Sequence, residues 1–224
     1  MSELRDLLDQ FNRKERYWLI RDAVGDPFLL SREFRKKLED EIGVTIPCDA
    51  WWAVDYHIDW LVAVLHSFPE QIKIRTIHDN KIKEIRGNQE DFDLIIAFEK
   101  QIILVEAKTG NFVDTQLQSK LSRLGKLKFG NGKLIGDRGF TKKNIRIWFV
   151  LCSPKKKIDN IKLDDGNDCD NIKWSLKHPK PADLHHIKLD FPENTAMVSR
   201  CTDKGKKSAK GGCWAVYPVK THTP

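Results

Sequence analysis

Residues 90–110, EDFDLIIAFEKQIILVEAKTG, hold two short apolar runs, Leu94 to Phe98 and Ile102 to Val105, parted by the polar pair Glu99 and Lys100. Short runs rich in Ile, Leu and Val around a polar pair specify two adjacent antiparallel strands joined as a hairpin. A loop of two residues, Glu99 and Lys100, or of four, Phe98 to Gln101, sets Asp93 opposite Glu106 and Asp91 opposite Lys108. Side chains alternate along a strand, so all four project from one side of the sheet. Directly opposed carboxylates repel, and such a pair calls for a compensating cation. Two carboxylates, a backbone carbonyl and water suit Mg²⁺, which takes hard oxygen ligands and seldom receives a full cage from protein.

Asp93, the short hairpin, and Glu106-Ala107-Lys108 at the end of its second strand resemble the signature of the PD-(D/E)XK nuclease superfamily. Phe92 stands where the family's name has Pro, a position that varies. The resemblance implies an α/β fold with a restriction-endonuclease-like core, in the order α-β-β-β-α-β, whose central mixed sheet is flanked by helices. It also implies metal-dependent hydrolysis of phosphodiester bonds in nucleic acid, with DNA favoured over RNA. Asp93, Glu106 and the Ala107 carbonyl would hold Mg²⁺, with Mn²⁺ able to substitute, and Lys108 would orient the nucleophile or stabilise the pentacovalent state. In the superfamily the helix before the first core strand often adds a carboxylate, for which Asp59 or Asp55 is the candidate. Gln116 or Gln118, in the first turn of the helix after the hairpin, resembles a glutamine found near the metal in some branches.

The chain's net charge of +7 is unevenly spread. Residues 1–60 hold 9 Lys and Arg against 13 Asp and Glu, whereas residues 115–157 hold 12 against 1. That basic segment directly follows the candidate site, and such focusing suits the backbone of a polyanion. Lys120, Arg123, Lys126, Lys142 and Lys143 are the expected phosphate contacts. The 5 cysteines are widely spaced with no CxxC, which favours a reducing compartment. The start, MSELRDLLDQF, lacks the apolar core of a signal peptide, and no run approaches the roughly 18 apolar residues of a membrane span. These features lead us to expect a cytoplasmic protein without a membrane partner; a homodimer stays open.

Along the chain, residues 1–49 read as a helical extension, 50–157 as the nuclease-like core and 158–224 as a β-rich appendage packed on it. Leu4, Leu7, Leu8 and Phe11 recur at helical spacing; Lys14 to Val24 is periodic before Gly25; Ser31 caps a third helix that ends at Gly43. Ala50 to Phe68 reads as one apolar helix, with Asp55 and Asp59 a turn apart. Gln71 to Ile77 reads as the first strand, ahead of the hairpin. Thr115 to Lys128 carries leucines on one face and basic side chains around the remainder, an amphipathic helix. Asn144 to Cys152 reads as the strand that follows it.

Beyond Pro154 the acids Asp164, Asp165, Asp168 and Asp170 lack the ligand order of a calcium loop. Strands are expected near Ile172 to Leu176, His186 to Leu189, Met197 to Cys201 and Cys213 to Val219. Cys201, Cys213, His185 and His186 match no zinc module in their spacing. Two rivals from other classes accompany the nuclease reading. One is a non-catalytic nucleic-acid-binding module that retains the fold. The other is a regulatory or interaction protein acting through its helical N-terminus.

Overall fold

A computed structural model describes residues 3–11, 13–25, 28–78, 80, 85–87, 90–108, 117, 119–120, 145–154, 184–190 and 196–218. Three helices come first: α1 (Leu4–Asp9), α2 (Lys14–Val24) and α3 (Arg32–Ile42). Leu4, Leu7 and Leu8 give α1 one buried stripe. The Ser31 hydroxyl accepts the Phe34 N–H at 3.1 Å to start α3, and Gly43 ends it in the left-handed conformation at φ 70°. A residue without a Cβ takes that conformation without strain.

The main sheet has five strands in the order β1-β2-β3-β4-β5: β1 (Trp51–His57), β2 (Asp91–Phe98), β3 (Gln101–Ala107), β4 (Arg146–Ser153) and β5 (Leu184–Lys188). β1, β2 and β3 pair antiparallel, while β3, β4 and β5 run parallel, so the sheet is mixed. One face packs on α1 and on α4 (Ile58–Ser67) through Leu8, Ala53, Leu61, Ile95, Leu104 and Phe149. The other packs on α2 and α3 through Tyr17, Leu38, Trp52, Ile96, Ile103 and Val150. Tyr56, buried in the first layer, donates its hydroxyl to the Leu8 carbonyl at 3.0 Å and ties β1 to α1. On its outer side α2 exposes Trp18, Leu19, Ile20 and Val24.

The structure corrects three expectations. Residues 51–57, expected as the first half of a helix, form β1, and only Ile58–Ser67 is helical. Trp51 and Ala53 face one core while Trp52 faces the other. A strand buried on both faces is a continuous apolar run, and periodicity alone does not separate it from a buried helix. Residues 71–77, expected as a strand, are turn and irregular backbone with Ile74 and Ile77 exposed, since β1 already holds the place beside β2. Leu184–Lys188, assigned to the appendage, is β5 of the main sheet, parallel to β4. A separate two-stranded sheet, β6 (Ala196–Cys201) with β7 (Cys213–Pro218), follows as expected. The strand expected near Ile172 to Leu176 and the acidic group from Asp164 lie outside the described residues.

Candidate functional site

β1 and β3 run in the same direction with β2 between them reversed, so the last residues of β1 and β3 meet the first residues of β2. At that end of the sheet Asp93 and Lys108 lie close enough for their charges to act on Glu106, while Asp55 on β1 and Asp91 on β2 pair with side chains of α2. The hairpin register is the one expected: Phe98 pairs with Gln101 and Leu94 with Val105. Past Leu94 the Asp93 carboxylate takes over from the backbone, its Oδ2 accepting the Ala107 N–H at 2.6 Å. The Lys108 N–H donates to the Cys152 carbonyl at 2.9 Å, which ties the end of β3 to β4. Asp55 lies beside Asp93, between the pairs Val54–Leu94 and Tyr56–Phe92, and holds a positive φ of 50°.

Glu106 is the most buried acid of this group, at 4 % exposure. Burial pushes its carboxyl up to about 7; the Lys120 ammonium acts against that push, the Asp93 charge adds to it, and Lys108 opposes it. Lys120 Nζ is ion-paired and hydrogen-bonded to Glu106 Oε1. It also donates to the Asp91 carbonyl at 2.5 Å and lies 5.2 Å from the centre of the Phe92 ring. Leu117, Ser119 and Lys120 are helical and Leu117 is buried; the remainder of the helix expected from Thr115 to Lys128 lies outside the described residues. Ser119 Oγ donates to Glu90 Oε1 at 2.9 Å and fastens this turn to the start of β2.

Lys120 was expected on the solvated face among the phosphate contacts. The structure turns it inward, leaving its side chain 12 % exposed, because the buried Glu106 needs a cation within reach. Two more protein cations reach the other acids: Lys14 of α2 is paired with Asp91, and Arg16 of α2 with Asp55. Asp91 Oδ1 is buried and has no hydrogen-bond partner among the described residues. Sequence reasoning named Lys120 only as a phosphate contact and did not single out Lys14 or Arg16.

The carboxylates expected on one helical face are separated. Asp55 is a strand residue, and Asp59 is in the first turn of α4, where His57 Nδ1 accepts its N–H at 3.2 Å. The Asp59 carboxylate, 7 % exposed, accepts the Gly87 N–H at 2.8 Å and the Arg86 N–H at 3.3 Å. Asp59 thus serves the segment before β2, and Asp55 is the acid that joins Asp93. Gln116, Gln118, Arg123, Lys126, Lys142 and Lys143 lie outside the described residues.

The cysteine and histidine candidates fall on different sheets. Cys201 and Cys213 are paired across β6 and β7; His186 Nε2 lies 3.0 Å from Ser153 Oγ, and His185 Nδ1 lies 3.4 Å from Glu41 Oε1. Among the described residues no group of three or more His, Cys, Asp or Glu is arranged to hold a metal ion. A groove of about 930 Å³ opens at the opposite end of the sheet, around the β2–β3 turn, between Arg5, Trp51, Phe68, Lys100 and Arg146. It is remote from the carboxylates in the fold.

Comparison with protein-family models, curated proteins and solved structures finds no match. No helix among the described residues is long and apolar enough to cross a membrane.

Proposed function

We propose that the chain is a metal-dependent nuclease of the PD-(D/E)XK kind, hydrolysing phosphodiester bonds in nucleic acid, with DNA favoured over RNA. The observation that carries the proposal is the meeting of Asp93, Glu106 and Lys108 at one end of the sheet, with Glu106 buried beside a second carboxylate. Part of the topology supports it: β1, β2 and β3 pair antiparallel and β4 runs parallel to β3, although α4 stands between β1 and β2 where the expected order has strand following strand. Cytoplasmic residence belongs to the same proposal.

The donor set fits an oxygen-liganded divalent ion. Asp93 and Glu106 are hard anionic donors, and Glu106 already draws a cation in the form of Lys120. Asp93, Glu106 and the Ala107 carbonyl would hold Mg²⁺ or Mn²⁺, with Asp55 at the flank. Such an ion supplies an acidified water and offsets charge on the phosphate. The chain's own residues do the remainder. Asp93, bound to the Ala107 N–H, fixes the distance between β2 and β3 at the site. Lys108, its backbone held by β4, presents an ammonium to the negative charge that grows on a phosphoryl oxygen. The basic segment 115–157 neutralises flanking phosphates.

One observation favours a second reading: Lys120 already neutralises Glu106, as it would in a binding module that kept the fold without the chemistry. The test is incubation of purified protein with circular single-stranded DNA, circular double-stranded DNA and RNA, each in Mg²⁺, Mn²⁺ or EDTA. Cleavage in either metal and none in EDTA is expected. Nucleic acid that is bound yet stays intact in both metals would overturn the nuclease reading in favour of the module.

A further inference from the structure

We infer that Lys120 is the resident counter-cation of the carboxylate site, and that a divalent ion entering the site takes its place at Glu106 and frees the ammonium for a substrate phosphate. The inference deepens the metal-dependent reading and rests on it.

Three features hold Lys120 where it is. Its ammonium is paired with Glu106, donates to the Asp91 carbonyl at 2.5 Å and lies 5.2 Å from the centre of the Phe92 ring. The two charged side chains are 12 % and 5 % exposed, so neither is solvated well without the other. A divalent ion and an ammonium repel each other, and Lys120 already occupies Oε1 of the one buried carboxylate that both would use, so they compete for it. Exchange of one for the other keeps Glu106 neutralised throughout. Lys120 opens the basic segment 115–157, where 12 basic residues stand against 1 acid, so release adds its charge to the surface offered to a polyanion.

Competition and support differ in sign. If Lys120 competes with the metal, removing its charge tightens metal binding; if it only positions Glu106, removal weakens it. The experiment is a Mn²⁺ titration by electron paramagnetic resonance without nucleic acid, at pH 8.5 where protons compete least. It compares the wild type with Lys120→Met and Lys120→Arg. Lys120→Met is expected to bind Mn²⁺ about 10-fold more tightly, a difference of about 1.4 kcal/mol. Lys120→Arg keeps the competing charge and should stay within about threefold of the wild type.

Because Lys120→Met leaves Glu106 without its cation, a measurement on the unaltered protein accompanies it. Amine acetylation read by mass spectrometry should find Lys120 protected in EDTA and labelled several-fold faster in Mn²⁺, with exposed Lys36 as the internal reference. Equal or weaker Mn²⁺ binding by Lys120→Met, or unchanged labelling in a wild type that binds Mn²⁺, overturns the inference and leaves the metal reading standing. No Mn²⁺ binding by the wild type or the variant overturns both.

Discussion

Replacing Glu106 with Gln should make the stability difference between wild type and variant swing with pH by on the order of 3 kcal/mol. Glu106 is buried, and burial pushes its carboxyl from 4.5 up to about 7. Between those values the folded chain keeps a proton that the unfolded chain has released. Unfolding free energy therefore falls as pH rises, by about 1.4 kcal/mol per pH unit, and the fall ends once the pH passes the folded value. The contribution of Glu106 to stability is thus complete below about pH 4.5 and lost by about pH 8. Gln titrates nothing, so Glu106→Gln gains on the wild type throughout that window. The pairing with Lys120 strengthens as Glu106 ionises, and its effect is already contained in the folded value of about 7. Urea unfolding at pH 5, 6, 7 and 8 in EDTA measures the difference. A difference that is flat with pH, or one that moves in favour of the wild type as pH rises, would refute the placement of an ionising Glu106 in a buried site.

Further expectations follow from other residues. Tyr56→Phe removes the hydroxyl that serves the Leu8 carbonyl and should lower stability by about 1 kcal/mol in chemical denaturation; unchanged stability would contradict that bond. Lys108→Ala should keep Mn²⁺ affinity and lose cleavage, and a collapse of affinity would instead make Lys108 a holder of the site's shape. Arg123→Gln combined with Lys126→Gln should flatten the salt dependence of DNA binding by about one to two slope units, measured by fluorescence anisotropy in EDTA. An unchanged slope would remove those two side chains from the interface.

Local interactions were legible in the sequence. Ser31 and Gly43 bound α3 through contacts within a few residues, and the β2–β3 register follows from a short turn between two apolar runs. Asp93, Glu106 and Lys108 meet for that reason. Pairings between distant residues were not legible. Trp51–His57 is as apolar as a buried helix, and its identity as a strand depends on β2, more than thirty residues away. That pairing brings Asp55 to Asp93 and separates Asp59 from both.

Lys120 was legible in principle. At about 100° per helical residue it falls about 40° from Leu124 and about 20° from Leu127, inside the leucine stripe. A lysine inside an apolar stripe needs a buried anion, and Glu106 is that anion. Lys14 and Arg16 carried no comparable signal, since their partners lie on strands that the sequence around α2 does not name.

Cleavage of circular double-stranded DNA by the wild type, Asp93→Asn and Glu106→Gln, with binding followed in parallel by anisotropy, tests the nuclease proposal most directly. The wild type should convert the circle in Mg²⁺ or Mn²⁺ and leave it intact in EDTA. Both variants should fall to the EDTA baseline while binding DNA as the wild type does. Wild-type cleavage by Glu106→Gln, or a circle that the wild type binds and leaves intact in both metals, would contradict it.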